Sequence, residues 1–77
     1  MTKREKLIAR IRARSADADF SDVKALLEMF GWTLDRSSGS HHTFTKDGEP
    51  SITVSTISGR TVKQYILKQI CDRLGLD

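Results

Sequence analysis

The chain predicts an α+β fold in which helices cover one face of a three-stranded antiparallel sheet. Three observations carry this expectation. Apolar residues Val23, Leu26, Leu27 and Phe30 recur at i, i+3, i+4 and i+7; three short segments between residues 32 and 55 alternate apolar with polar and are parted by glycine turns; and a second helical pattern runs over 61–74. A sheet with one apolar face needs a cover, and the helices supply it. At 77 residues the chain makes one domain, burying only about 60% of the surface its unfolded form exposes. With 38% hydrophobic and 30% charged residues it is neither disordered nor fibrous.

Taken in order, residues 3–14 form a first helix that docks by a narrow stripe of Leu7, Ile8 and Ile11, with basic residues around the rest. "SADAD" is a short polar link. Ser21 then caps a second helix whose first turn carries Asp22, where a negative charge meets the helix dipole favourably, and Gly31 stops it. Phe20, just ahead of Ser21, reads as a hydrophobic staple. "WTLDR" is a strand with Trp32 and Leu34 inward, "SSGS" a turn, "HHTFTK" a second strand, "DGEP" a turn, and "SITVS" a third strand with Ile52 and Val54 inward. Pro50 is tolerated at a strand start or an edge. "TISGR" is a loop before the last helix, which turns Val62, Ile66, Ile70 and Leu74 inward and ends at Gly75.

Charge and cysteine content narrow the function classes. The net charge of +3 is mild, but six of the basic residues lie between Lys3 and Arg14 against one acid, Glu5, an asymmetry that suits a polyanion partner or a solvated helix face equally. The single cysteine, Cys71, excludes an intramolecular disulfide and falls within an apolar helical pattern, as a buried, inert thiol does. No apolar run approaches the roughly 20 residues that cross a bilayer, and the basic N-terminus leads into a charged helix instead of a signal-peptide core. A cytoplasmic location without membrane contact is therefore expected. Most of the aromatics sit at apolar-periodic positions, so no exposed ladder for stacking single-stranded bases is expected.

The candidate site lies in "SGSHHTFTKDG", which holds both histidines of the chain. Neighbouring strand residues point to opposite faces, so His41 and His42 cannot serve one site. Phe44 is the core residue of that strand, and His42 shares its face, whereas His41, Thr43 and Thr45 share the open one. Adjacent histidines on opposite faces do not chelate, and there is neither a His-x-x-x-His pair nor a second cysteine, so no metal is expected. His41 follows a glycine turn that lets backbone approach a phosphate. Ser38 and Ser40 offer hydroxyls, Arg36 precedes the turn, and Lys46 follows on the same hairpin. An imidazole with such neighbours has the parts to cleave RNA through attack by the ribose 2′-hydroxyl, the histidine moving the proton and the cations steadying the phosphorane. Arg60 and Lys63, near the start of the last helix, are further candidates for phosphate contact, while Lys68 and Arg73 read as a solvated helix face.

The run "LLEMFGWTLDRSSGSHHTFTKDG", continued by "SITVS" and "TVKQYILKQICDRLGL", resembles the HicA family of toxins over roughly residues 20 to 76. The resemblance implies a double-stranded-RNA-binding-domain-like α-β-β-β-α core over residues 20–77, preceded by an additional helix and link over residues 1–19. It implies a messenger RNA ribonuclease that needs no metal or other cofactor and is neutralised by a HicB-type antitoxin. Carried over by position, Gly39 is the turn glycine, His41 the catalytic histidine and His42 a supporting or structural neighbour. Family members often carry a proline and a second histidine after the third strand, where this chain has "VSTISGR", which leaves a single-histidine mechanism. A non-catalytic RNA-binding or antitoxin-binding module on the same fold is the other reading.

Overall fold

The computed structural model describes residues 2–13 and 17–76. The elements run α1 (Lys3–Ala13), β1 (Ala18–Asp19), α2 (Phe20–Met29), β2 (Thr33–Ser38), β3 (His41–Lys46), β4 (Glu49–Ser55), β5 (Thr61–Val62) and α3 (Gln64–Leu74). Strands β2, β3 and β4 form the expected antiparallel meander in the order β2-β3-β4, and the fold is α+β. Helices α2 and α3 pack their apolar faces on one side of it, and α1 packs on α2 and α3. Leu7 and Ile11 of α1, Val23, Leu26 and Leu27 of α2, Phe44, Ile52 and Val54 of the sheet, and Ile66, Leu67, Ile70 and Cys71 of α3 make one cluster, so the additional N-terminal helix shares the core of the rest.

A second, two-stranded sheet was not foreseen from sequence. Ala18 pairs with Val62 and Asp19 with Thr61, which turns the end of the "SADAD" link and the first residues of the supposed last helix into strand. Helix α3 accordingly starts at Gln64 and not at residue 61. Ser15 and Ala16 of that link, with Arg14, lie outside the described residues.

This small sheet also changes how the helices begin. Asp19, not Ser21, occupies the N-cap of α2 in an extended conformation, and its side chain makes no capping bond. Instead the Phe20 amide donates to the Arg60 carbonyl, so backbone pairing replaces the serine cap. At α3, Lys63 holds the N-cap position without a side-chain capping bond of its own. Asp17 supplies it from a distance: its Oδ1 accepts the Gln64 amide at 3.2 Å and its Oδ2 meets Lys63 Nζ at 3.3 Å. Gly75 ends α3 in the left-handed region, at φ 71°, as its place in the sequence predicted.

Arg73 is not merely a solvated cation. Its guanidinium donates to the carbonyls of Pro50 and Ser51 and lies 5.4 Å from the centre of the Trp32 ring, so it fastens α3 to the first residues of β4 and to the residue that precedes β2. Among the described residues no helix is long and apolar enough to cross a membrane.

Candidate active site

The site is built on the β2–β3 hairpin. Ser38 pairs with His41 across a two-residue loop of Gly39 and Ser40, and Gly39 takes φ +59°. A positive φ at the first central position is what a type II′ hairpin loop requires, and glycine adopts it without a Cβ penalty. His41 therefore leaves the loop as the first residue of β3, with Ser38 opposite on one neighbour and Ser55 on the other.

A bulge decides which β2 residues join it. Leu34 pairs with Phe44, but Arg36 pairs with Thr43, so Asp35 is the extra residue and the alternation of β2 reverses beyond it. Regular alternation from Leu34 would have turned Arg36 and Ser38 toward the helices. Because directly opposed residues share a face, the bulge puts Arg36 beside Thr43 and Ser38 beside His41 on the open side. The same reversal sends Ser37 to the covered side, opposite His42.

The two histidines separate as strand parity predicts. His41 is exposed, and its ring makes no hydrogen bond to any described residue. His42 is half-buried on the helix side: its Nδ1 lies 2.8 Å from Ser37 Oγ, its Nε2 lies 3.3 Å from Thr56 Oγ1, and its ring stands 4.2 Å from that of Phe20. Phe20 thus packs across to β3 at the start of α2, a wider role than the local staple expected of it. Thr56 Oγ1 donates in turn to the Ser40 carbonyl at 3.3 Å, and the Thr56 amide donates to the same carbonyl at 2.9 Å. Ser37 and Thr56 were absent from the sequence-based candidates. Thr56 was legible by continuing the inward period of Ile52 and Val54 one step, whereas Ser37 depends on a bulge that no residue pattern announced.

The expected cations do not all converge. Arg36 is exposed on the open face, with Asp35 Oδ2 at 3.7 Å, a surface pair worth little against solvent screening. Arg60 lies on the tight loop between β4 and β5; its backbone holds Phe20, and its side chain has no acidic partner among the described residues. Lys63 is engaged by Asp17 at 3.3 Å. Lys46 stands at the far end of β3, roughly 17 Å from His41 along an extended strand, where Nζ donates to the Phe30 carbonyl at 2.8 Å and closes the C-terminus of α2. Among the described residues no group of three or more His, Cys, Asp or Glu side chains is gathered where it could hold a metal ion.

His41 is exposed and lines neither of two shallow depressions formed by the described residues. A shallow depression of about 280 Å³ is lined by Asp19, Phe20, Ser21, Gly59 and Arg60, and another lies at the opposite end of the hairpin, beside Lys46. Small-molecule sites are concave and bury most of their ligand. A histidine standing on an open sheet face instead suits a polymer that presents its reactive group at its own surface.

No curated protein and no solved structure matches the chain. A family model described as HicA toxin of bacterial toxin-antitoxin matches residues 20–76, from the start of α2 to just past α3, and so takes in the whole hairpin and both histidines. The chain belongs to the HicA toxin family.

Proposed function

We propose that the protein is a toxin that cleaves messenger RNA in the cytoplasm without a metal, that His41 is its catalytic residue, and that a HicB-type antitoxin neutralises it. The observation that carries this reading is the isolation of His41: a solvent-facing imidazole, unengaged by other side chains, at the mouth of a glycine loop whose backbone and hydroxyls line one edge of an open face.

The chemistry follows from what is adjacent. His41 takes the proton from a ribose 2′-hydroxyl; the 2′-oxygen bonds to the neighbouring phosphorus, the P–O5′ bond breaks, and the departing 5′-oxygen takes a proton from solvent water, leaving a 2′,3′-cyclic phosphate and a 5′-hydroxyl while protonated His41 returns its proton to solvent. Ser38 and Ser40 donate to phosphate oxygens, Gly39 lets the backbone come close, and Arg36 offsets the charge that builds on the phosphorane. Arg60, on the loop next to Thr56, extends the cationic contact along the strand. Lys46 and Lys63 hold other parts of the protein and are left out of the reacting centre.

A second reading, a non-catalytic module that binds RNA or the antitoxin, is favoured by one observation: the other histidine is engaged on the covered side, so a two-imidazole acid and base pair cannot assemble within the chain. Incubating purified protein with RNA in excess EDTA separates the two. Cyclic-phosphate ends support the ribonuclease, and binding without product supports the module.

A further inference from the structure

We propose that Thr56 is the positioning residue of this site: its amide and hydroxyl hold the Ser40 carbonyl and the His42 ring together, and so set the direction in which His41 leaves the loop. The inference rests on the ribonuclease reading of His41.

Thr56 is in the wrong chemical class for its place. Ile52, Val54 and Thr56 alternate along the covered side of β4 and its continuation, and Thr56 is only 6% exposed, the one buried polar residue among those described. Valine would fill the same volume without putting a hydroxyl among apolar side chains, which is unfavourable unless the hydroxyl is hydrogen-bonded. Here it has two partners, the Ser40 carbonyl and His42 Nε2, each at 3.3 Å. The shorter 2.9 Å bond from the Thr56 amide holds the loop, and the two longer hydroxyl contacts tie that loop to His42.

These contacts share one direction. A carbonyl only accepts, so Thr56 Oγ1 donates to Ser40 and uses its lone pair for the Nε2–H of His42, whose Nδ1 is then free to accept the Ser37 hydroxyl. His42 is held as the Nε2–H tautomer, flanked by the Phe20 ring. The network ends on the peptide that joins Ser40 to His41. Since the His41 ring has no hydrogen-bond partner of its own among the described residues, its aim depends on its backbone, and that backbone is fixed by this peptide and by the pairing with Ser38 and Ser55. Misplacing a reacting group by about 1 Å can cost about 100-fold in rate.

The test compares the parent, His41→Ala, Thr56→Val and Thr56→Ser on one defined RNA oligonucleotide, with kcat and KM measured separately below the melting temperature of every variant. Thr56→Val should keep KM within about twofold while kcat falls about 10- to 100-fold, and Thr56→Ser, which restores the hydroxyl, should recover most of the rate. A Thr56→Val protein of parental kcat, beside an inactive His41→Ala protein, overturns the positioning role and leaves the ribonuclease reading standing. A parent that cleaves nothing overturns both. Should Thr56→Val fail to fold, His42→Gln carries the same kinetic comparison. Long-range ¹H–¹⁵N spectra of the parent add a readout independent of activity: a proton on His42 Nε2 supports the network, and a neutral His42 protonated on Nδ1 contradicts it.

Discussion

The ring of Phe20 lies 4.2 Å from the imidazole of His42, tilted by 31°, and so joins the first residue of α2 to the strand that presents His41. Phe20 is only half-buried, whereas Phe44, 6.1 Å from it, is fully buried in the core. Truncating a fully buried phenylalanine costs about 3–5 kcal/mol, and a partly exposed one less. Urea unfolding should therefore rank Phe44→Ala well below Phe20→Ala in stability, with Phe44→Ala close to the whole stability of so small a domain. Equal losses would mean that the ring against His42 is as deeply packed as the core.

Asp17 caps a helix to which it is not adjacent in sequence, through the Gln64 amide and Lys63. Losing a capping carboxylate costs about 0.5–2 kcal/mol. Asp17→Ala should lower the unfolding midpoint accordingly, and Asp17→Asn, which keeps the acceptor oxygen, should recover most of it. Indifference to both would show that the α3 start is satisfied by water.

Arg73 reaches Pro50, Ser51 and Trp32 together. Its replacement by Ala should cost about 1 kcal/mol, read as a melting temperature lower by roughly 4–8 °C in a domain of this size. Arg73→Lys should restore little, because an ammonium cannot span two carbonyls and a ring face in one plane. Full rescue by lysine would reduce the contact to charge alone.

Arg36 and Lys46 make a pair of opposite expectations on one hairpin. Arg36 faces the open side, so Arg36→Ala should weaken RNA binding and reduce the slope of log affinity against log salt by about one. Lys46→Met should leave RNA affinity within about twofold while lowering stability, since its Nζ closes α2 on the Phe30 carbonyl. Loss of RNA binding in Lys46→Met would return that lysine to the interface.

Much of this architecture was legible in the residues themselves. The 3.6-residue period of Val23, Leu26, Leu27 and Phe30 and the two-residue period around Phe44 reflect burial on one face, which leaves a mark on every turn. Strand parity alone separated His41 from His42. What stayed hidden arises from backbone pairing at a distance. The bulge at Asp35 changes the face of Arg36, Ser37 and Ser38 with no glycine or proline to mark it. The pairing of Ala18–Asp19 with Thr61–Val62 commits a polar link to a strand, and its partner is a β-branched pair too short to announce one ahead of a helical period. The Lys46 contact with Phe30 is of the same kind: proximity along the hairpin linked Lys46 to His41, but an extended strand carries it away.

The measurement that bears most directly on His41 is the single-turnover cleavage rate of a defined RNA by purified parent and His41→Ala protein in excess EDTA. General acid–base catalysis by one residue is worth about 10²–10⁴-fold. The rate should fall by that factor while the circular dichroism and melting temperature of this exposed-site variant stay at parental values. A His41→Ala protein that cleaves as fast as the parent would contradict the assignment.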